Sequence, residues 1–191
     1  MEFDRKSTLV EEGIIGDSGT QKAHGIHYRL WSIRNERDGH HSDDVAFSAD
    51  KIPEIIDAMG QPHSHVRATA AWVMSFFAGW PGSVSAVEPL EKLLRDADPR
   101  VREQAALTLR FVCDVRDGEY GRTHAAVKEA CRDPDNNVRK TAVRTLQELE
   151  YCRRNFEAQT RAGINRGHFD MLVHTPVHLL FQGRGTTTRQ P

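Results

Sequence analysis

The sequence is poor in the residues that anchor most chemistry. Only three cysteines, Cys113, Cys131 and Cys152, stand among 191 residues. No two are spaced as CxxC, and an odd number cannot all pair within one chain, so neither a disulfide framework nor a paired-thiolate metal site is expected. Long apolar runs are missing too: no stretch approaches the roughly 18 residues that a membrane span requires, and the opening MEFDRKSTLVEEG lacks the apolar core of a secretory signal. Charge of one sign is not in excess, with 26 Lys and Arg against 27 Asp and Glu. A chain so close to neutrality has no bulk attraction for phosphate backbones, so nucleic acid is not an expected partner. Together these absences predict a soluble cytoplasmic protein with reduced thiols.

What is present is unevenly spread. Hydrophobic residues make up 38% of the chain, concentrated in a middle rich in Ala, Val and Leu, whereas residues 1–50 and the last ten are polar and rich in Gly, Ser or Thr. Net charge is −4 over residues 1–50, +1 over 51–155 and +2 over 156–191. The middle is therefore the predicted folded part, long enough to bury a core.

That middle repeats itself. Aligned on a Val-Arg pair, it reads IPEIIDAMGQPHSHVRATAAWVMSFF, VEPLEKLLRDADPRVREQAALTLRFV and HAAVKEACRDPDNNVRKTAVRTLQEL, with spacings of 35 and 37 residues. Each copy is a short apolar-periodic segment, a polar turn and a longer apolar-periodic segment, which predicts two helices in a hairpin. Pro62, Pro99 and Pro134 cannot continue the helix before them, while Asp98, Asp135 and Asn136 offer oxygens to the free amides that open the next one. In the second helix, apolar residues fall at offsets 0, 4, 8 and 11 from the Val: Val66, Ala70, Met74 and Phe77; Val101, Ala105, Leu109 and Val112; Val138, Ala142, Leu146 and Leu149. Those offsets share one quadrant of a helix and form its buried stripe. Small residues at offset 5, Ala71, Ala106 and Val143, widen it beyond what one hairpin can cover, so the copies must stack.

The phrase from Asp98 to Leu109, D-x-x-V-R-x-x-A-A-x-x-L, resembles the second helix of a HEAT repeat, in particular the short type found in phycobilisome-lyase-like proteins. The resemblance covers about residues 50–152 in three copies. It implies an all-α fold, a short right-handed α-solenoid of three helical hairpins at 50–80, 84–115 and 121–155. These lie between a polar, partly disordered N-terminal extension at 1–49 and a C-terminal extension at 156–191 with a disordered tail. It also implies a structural ladder in which Arg67, Arg102 and Arg139 tie turns together with Asp98 and Asp135. The first copy departs from this pattern, with His63 in place of the turn aspartate.

HEAT-like solenoids present a concave face built from their second helices, and offsets 6 and 10 point there. They hold Trp72, Phe76, Leu107 and Phe111 in the first two copies, and Arg144 and Glu148 in the third. With Arg110, the residues Trp72, Phe76, Leu107, Phe111 and Arg144 form the candidate protein-binding face, since monomers seldom leave so much apolar area bare. Two apolar segments outside the repeats, residues 26–33 and 169–181, compete with a partner as covers for it. HGIHYRLWSIR reads equally as a strand or a helix, and GHHSDDVAFSAD as a mobile linker.

The ten histidines raise the question of catalysis. The pairs His24 and His27, His40 and His41 beside Asp43 and Asp44, His63 and His65, and His174 and His178 fit surface polarity better than a ligand set; Pro176 interrupts the last pair. HEAT-like deoxyhypusine hydroxylases rely on His-Glu dipeptides, and this chain has none. Phycobilin lyases share the repeat type, and Trp72, Phe76 and Phe111 could line a tetrapyrrole pocket. HEAT-like alkylpurine DNA glycosylases combine a cleft with aromatics, faintly echoed by Trp72 and Trp80 with Arg110 and Arg144. The expectation is a non-catalytic scaffold that binds another protein, with no catalytic residue, metal or cofactor assigned, and with self-association as a further expectation. A DNA-repair or chromophore-binding protein is the alternative.

Overall fold

The computed structural model describes residues 18–116 and 118–162. Seven α-helices occur among them and no strand: α1 (Ser18–Glu36), α2 (Val45–Ala58), α3 (Ser64–Ser75), α4 (Val87–Leu93), α5 (Pro99–Val112), α6 (Tyr120–Ala130) and α7 (Asn136–Arg161). Short 3-10 turns at Arg37–Gly39 and Ser83–Ala86 join α1 to α2 and α3 to α4. The chain is all-α, as expected, with helical pairs α2/α3, α4/α5 and α6/α7 packed as a short HEAT-like solenoid. The second helices form an inner row, α1 on α3, α3 on α5 and α5 on α7, with α2, α4 and α6 behind it.

The buried stripe forms where the periodicity puts it. Val66, Ala70, Met74, Phe77, Val101, Ala105, Leu109, Val138 and Ala142 are fully buried, and Val112 and Leu149 nearly so; Leu146 is partly covered. Alanine at offset 4 lets each hairpin close tightly, and alanine at offset 5 admits the next hairpin, so Ala71 and Ala106 are also fully buried. At offset 7, Thr108 donates its hydroxyl to the Ala71 carbonyl at 2.8 Å and Thr145 to the Ala106 carbonyl at 2.9 Å. Both bonds are buried and cross the seam between neighbouring hairpins at the same place. The outer row is joined similarly, with the buried Thr123 hydroxyl donating to Glu91 Oε1 at 2.6 Å and Arg122 Nε 2.7 Å from Glu91 Oε2.

Turns follow the sequence signals. Asp98 accepts from the Arg100 amide at 2.9 Å and Asp135 from the Asn137 and Val138 amides at 2.8 and 3.1 Å. His63, at the same position in the first hairpin, makes no side-chain cap. Between α3 and α4 the chain reverses through Gly79 and Gly82, with φ of 82° and 83°, a left-handed conformation that glycine adopts without strain. Beneath that reversal Phe47, Phe77 and Trp80 pack ring on ring at 5.3 to 6.0 Å.

Three expectations need correction. The N-terminal extension is not irregular throughout, because residues 18–36 form a 19-residue helix. Its buried residues Ala23, Leu30 and Ile33, with Ile26 packed against the core, fall at i, i+3, i+7 and i+10, which decides the strand-or-helix ambiguity for HGIHYRLWSIR. Second, the supposed linker GHHSDDVAFSAD contains the start of α2: Asp44 caps that helix by accepting from the Phe47 amide at 2.9 Å, and Phe47 and Ser48 are buried. Pro53 lies inside α2 at the cost of one backbone hydrogen bond. Third, α7 runs unbroken for 26 residues, past the 155 boundary assigned to the third hairpin. The segment 169–181 lies outside the described residues.

Candidate functional site

The inner face is built from offsets 6, 9 and 10 of successive second helices. On α3 the Trp72 and Phe76 rings meet edge to face at 4.9 Å. Trp31 of α1 packs on Trp72 at 4.8 Å. The guanidinium groups of Arg34 and Arg37 lie over the Phe76 ring at 5.2 and 5.6 Å, and Arg37 Nη1 donates to the Phe76 carbonyl at 2.9 Å. On α5 the Arg110 guanidinium covers Phe111 at 4.6 Å. Its Nε lies 2.6 Å from Glu148 Oε2, in a geometry that makes this an ion pair and not a directed hydrogen bond.

This changes the character of the predicted patch. Trp72, Phe76, Leu107 and Phe111 are all half-buried, and none ranks among the large hydrophobics that stand exposed. Residues 26–33, within α1, cover the Trp72 end of it, and arginines lie over Phe76 and Phe111. The six predicted residues remain on one row of helices, but they present guanidinium groups resting on aromatic faces in place of bare apolar area. Arg144 on α7 is exposed. Asp38, bonded to Arg34 and Arg37, and Glu148 offset part of that charge.

The ladder residues sit at the turns. Arg67 Nε and Nη2 grip both oxygens of Asp96 at 2.7 and 2.8 Å, and Arg102 grips Asp133 at 2.7 and 2.9 Å. The carboxylates that meet the arginines are therefore Asp96 and Asp133, not Asp98 and Asp135. The latter two spend their oxygens on helix caps, and Asp98 also binds the Ser64 side chain of the preceding hairpin. The signal was available: the second and third copies carry Asp-x-Asp, Asp96 with Asp98 and Asp133 with Asp135, where the first has Gln61 with His63. Arginine hydrogen bonding holds Asp96 and Asp133 below the usual carboxylate range. A cavity of about 580 Å³ opens beside this ladder, lined by Glu91, Arg95, Arg102, Glu129 and Asp133 among others; the aromatics of the inner face do not line it.

Two groupings went unrecognised in the sequence. His24 and His27 of α1 converge with His63 and His65, the rings of neighbours lying 5.7 to 6.0 Å apart, although no three such side chains among the described residues are arranged to hold a metal ion. The outer side of α7 leaves Val143 and Tyr151 exposed. Burial raises the Cys131 and Cys152 thiols, which suits inert side chains better than nucleophiles. No helix among the described residues is long and apolar enough to cross a membrane.

A family model described as HEAT repeats matches residues 45–110. The match takes in α2 to α5, so this third of the chain is a HEAT-repeat region. No curated protein matches the chain.

Proposed function

We propose that the chain is a protein-interaction scaffold whose third hairpin, α6/α7, continues the HEAT-type stack, and whose inner face binds an acidic segment of a partner protein. HEAT-repeat regions generally serve as interaction scaffolds. The observation that carries the reading is the row of guanidinium groups at Arg34, Arg37 and Arg110, resting on Phe76 and Phe111 and extended by the exposed Arg144. A cation held flat on an aromatic ring is positioned in advance for a carboxylate, with its entropy already restricted. The repeated residues are accounted for by packing and turn closure, and among the described residues no nucleophile with an adjacent base competes with them. The tetrapyrrole alternative needs a cleft walled by Trp72, Phe76 and Phe111, whereas α1 and Arg110 lie against those rings; of the two aromatics behind the DNA alternative, Trp72 is covered by Trp31 and Trp80 is buried.

The test compares wild type with an Arg110→Glu, Arg144→Glu double variant as bait in affinity capture, folding being checked by circular dichroism. A partner retained by wild type and lost by the charge-reversed variant supports the inner face as the binding surface. Equal recovery by both removes it.

A further inference from the structure

The same junction is built between successive hairpins, and its third copy stands open. Arg67 Nη1 donates to the carbonyls of Gln61 and Pro62 at 2.8 and 2.6 Å, Arg102 Nη1 to those of Asp96 and Ala97 at 2.8 and 3.1 Å, and Arg139 Nη1 to those of Asp133 and Pro134 at 2.7 and 2.8 Å. Each arginine is thus fixed by its own turn. The Nε and Nη2 edge of the first two then grips an aspartate of the next hairpin. That edge of Arg139 meets no carboxylate among the described residues; its one contact is the Asn136 side-chain oxygen at 3.4 Å. The rest of the junction is unfilled in the same way. Ala71 and Ala106 are fully buried by the following hairpin, whereas Val143 at the equivalent place is 42% exposed, and no threonine among the described residues reaches the Val143 carbonyl as Thr108 and Thr145 reach those of Ala71 and Ala106.

We propose that the outer side of α7 is a docking surface for a helical hairpin of another polypeptide, one whose inter-helical turn carries an aspartate that fills the open edge of Arg139. Charge supports an acidic occupant. Along this side of α7 lie Arg139, Lys140, Val143, Gln147, Tyr151 and Arg154, with three cations, while the acids on the same side, Glu150 and Glu157, are taken by His124 at 3.1 Å and by Arg153 at 2.8 Å. The same charge argues against a second copy packed α7 on α7. A head-to-tail copy meets another obstacle: the face of α3 that would have to dock is occupied by α1, and the turn of that hairpin offers Gln61 where the junction needs an acid.

Residues 163–191 do not supply that aspartate within reach. Asp170 is the one acid between residues 163 and 191. Ala162 follows Arg139 by 23 residues of helix, about 35 Å. Eight further residues span at most about 29 Å, and the Arg139 guanidinium points still farther away, toward Asp133.

The probe that tests this is a synthetic hairpin with the sequence of residues 118–149, lactam-stapled on its outward face and shown helical by circular dichroism. It already presents Asp133 and Thr145 to Arg102 and Ala106 within the stack. Fluorescence anisotropy should show saturable binding to the full chain. Asp133→Asn in the probe, or Arg139→Gln or Val143→Glu in the chain, should each weaken it about tenfold or more, and the two Asp133 and Arg139 changes combined should do little beyond either alone. Arg110→Glu with Arg144→Glu should leave it unchanged, which separates this surface from the inner face. Absence of saturable binding, or binding indifferent to Arg139→Gln, overturns the proposal. So does self-association of the chain alone that Val143→Glu abolishes, which would assign the surface to a second copy.

Discussion

Arg102 holds Asp133 through both carboxylate oxygens at 2.7 and 2.9 Å while its third nitrogen closes its own turn on the carbonyls of Asp96 and Ala97. One side chain therefore fixes a turn and fastens the next hairpin to it, which is why arginine and not lysine occupies the position: an ammonium has no planar edge to meet a carboxylate at two points. Both side chains are largely covered, at 12% and 7% exposure, so the pair lies beyond the reach of much solvent screening.

Asp133→Asn should destabilise the fold by about 2–3 kcal/mol, since it leaves the Arg102 charge partly buried without its partner. Arg139→Gln loses only contacts within its own turn and should cost about 1 kcal/mol or less. Urea unfolding followed by circular dichroism reads both as shifts of midpoint. Equal shifts for the two variants would mean that the inter-hairpin half of the ladder contributes nothing.

The buried hydroxyls at the seams make a second, separate prediction. Thr108→Val and Thr145→Val each remove one inter-hairpin bond but leave the acceptor carbonyl its helical partner, so each should cost about 1 kcal/mol. Space is not the obstacle, because Val73 occupies the same offset in α3 and is fully buried. Being far apart in contact terms, the two losses should add in the double variant.

How much of this was legible in the sequence depends on whether a residue answers to its own helix or to a neighbour. Val66, Val101 and Val138, with the alanines at offset 4, obey a helical period that local sequence displays, and the three hairpins follow. Asp98 and Asp135 were readable as caps because capping is local. Their assignment to the ladder failed because the competing aspartates, Asp96 and Asp133, act on residues 29 and 31 positions earlier. Helix α1 was obscured by His24, Gly25 and His27, whose surroundings become clear only when α3 is in place, and the cover over Trp72 followed from the same long-range contact.

Trp31 is the residue to remove to test that cover. Trp31→Ala should strip the packing at 4.8 Å from Trp72, destabilise the fold by about 2 kcal/mol and raise binding of a hydrophobic dye. A variant with unchanged dye binding would show that α1 does not shield the inner face.

Acid should loosen the same helix. The Trp31 indole lies 3.2 Å from His27 Nε2, and the other ring nitrogen lies 3.1 Å from the Thr69 hydroxyl. His65 is held below the ordinary histidine range, first by burial and then by His27, His63 and His24; no carboxylate of α1, or of the turn leading into α3, contributes. A depressed histidine binds fewer protons folded than unfolded, so its contribution is complete above the unfolded value of about 6.5 and declines as pH falls through the lower folded value. The unfolding midpoint should therefore drop as pH falls below about 6.5, with amide exchange in α1 rising first. His65→Gln should flatten that dependence by removing the depressed group. A slope that persists undiminished in His65→Gln would place the acid sensitivity elsewhere in the chain.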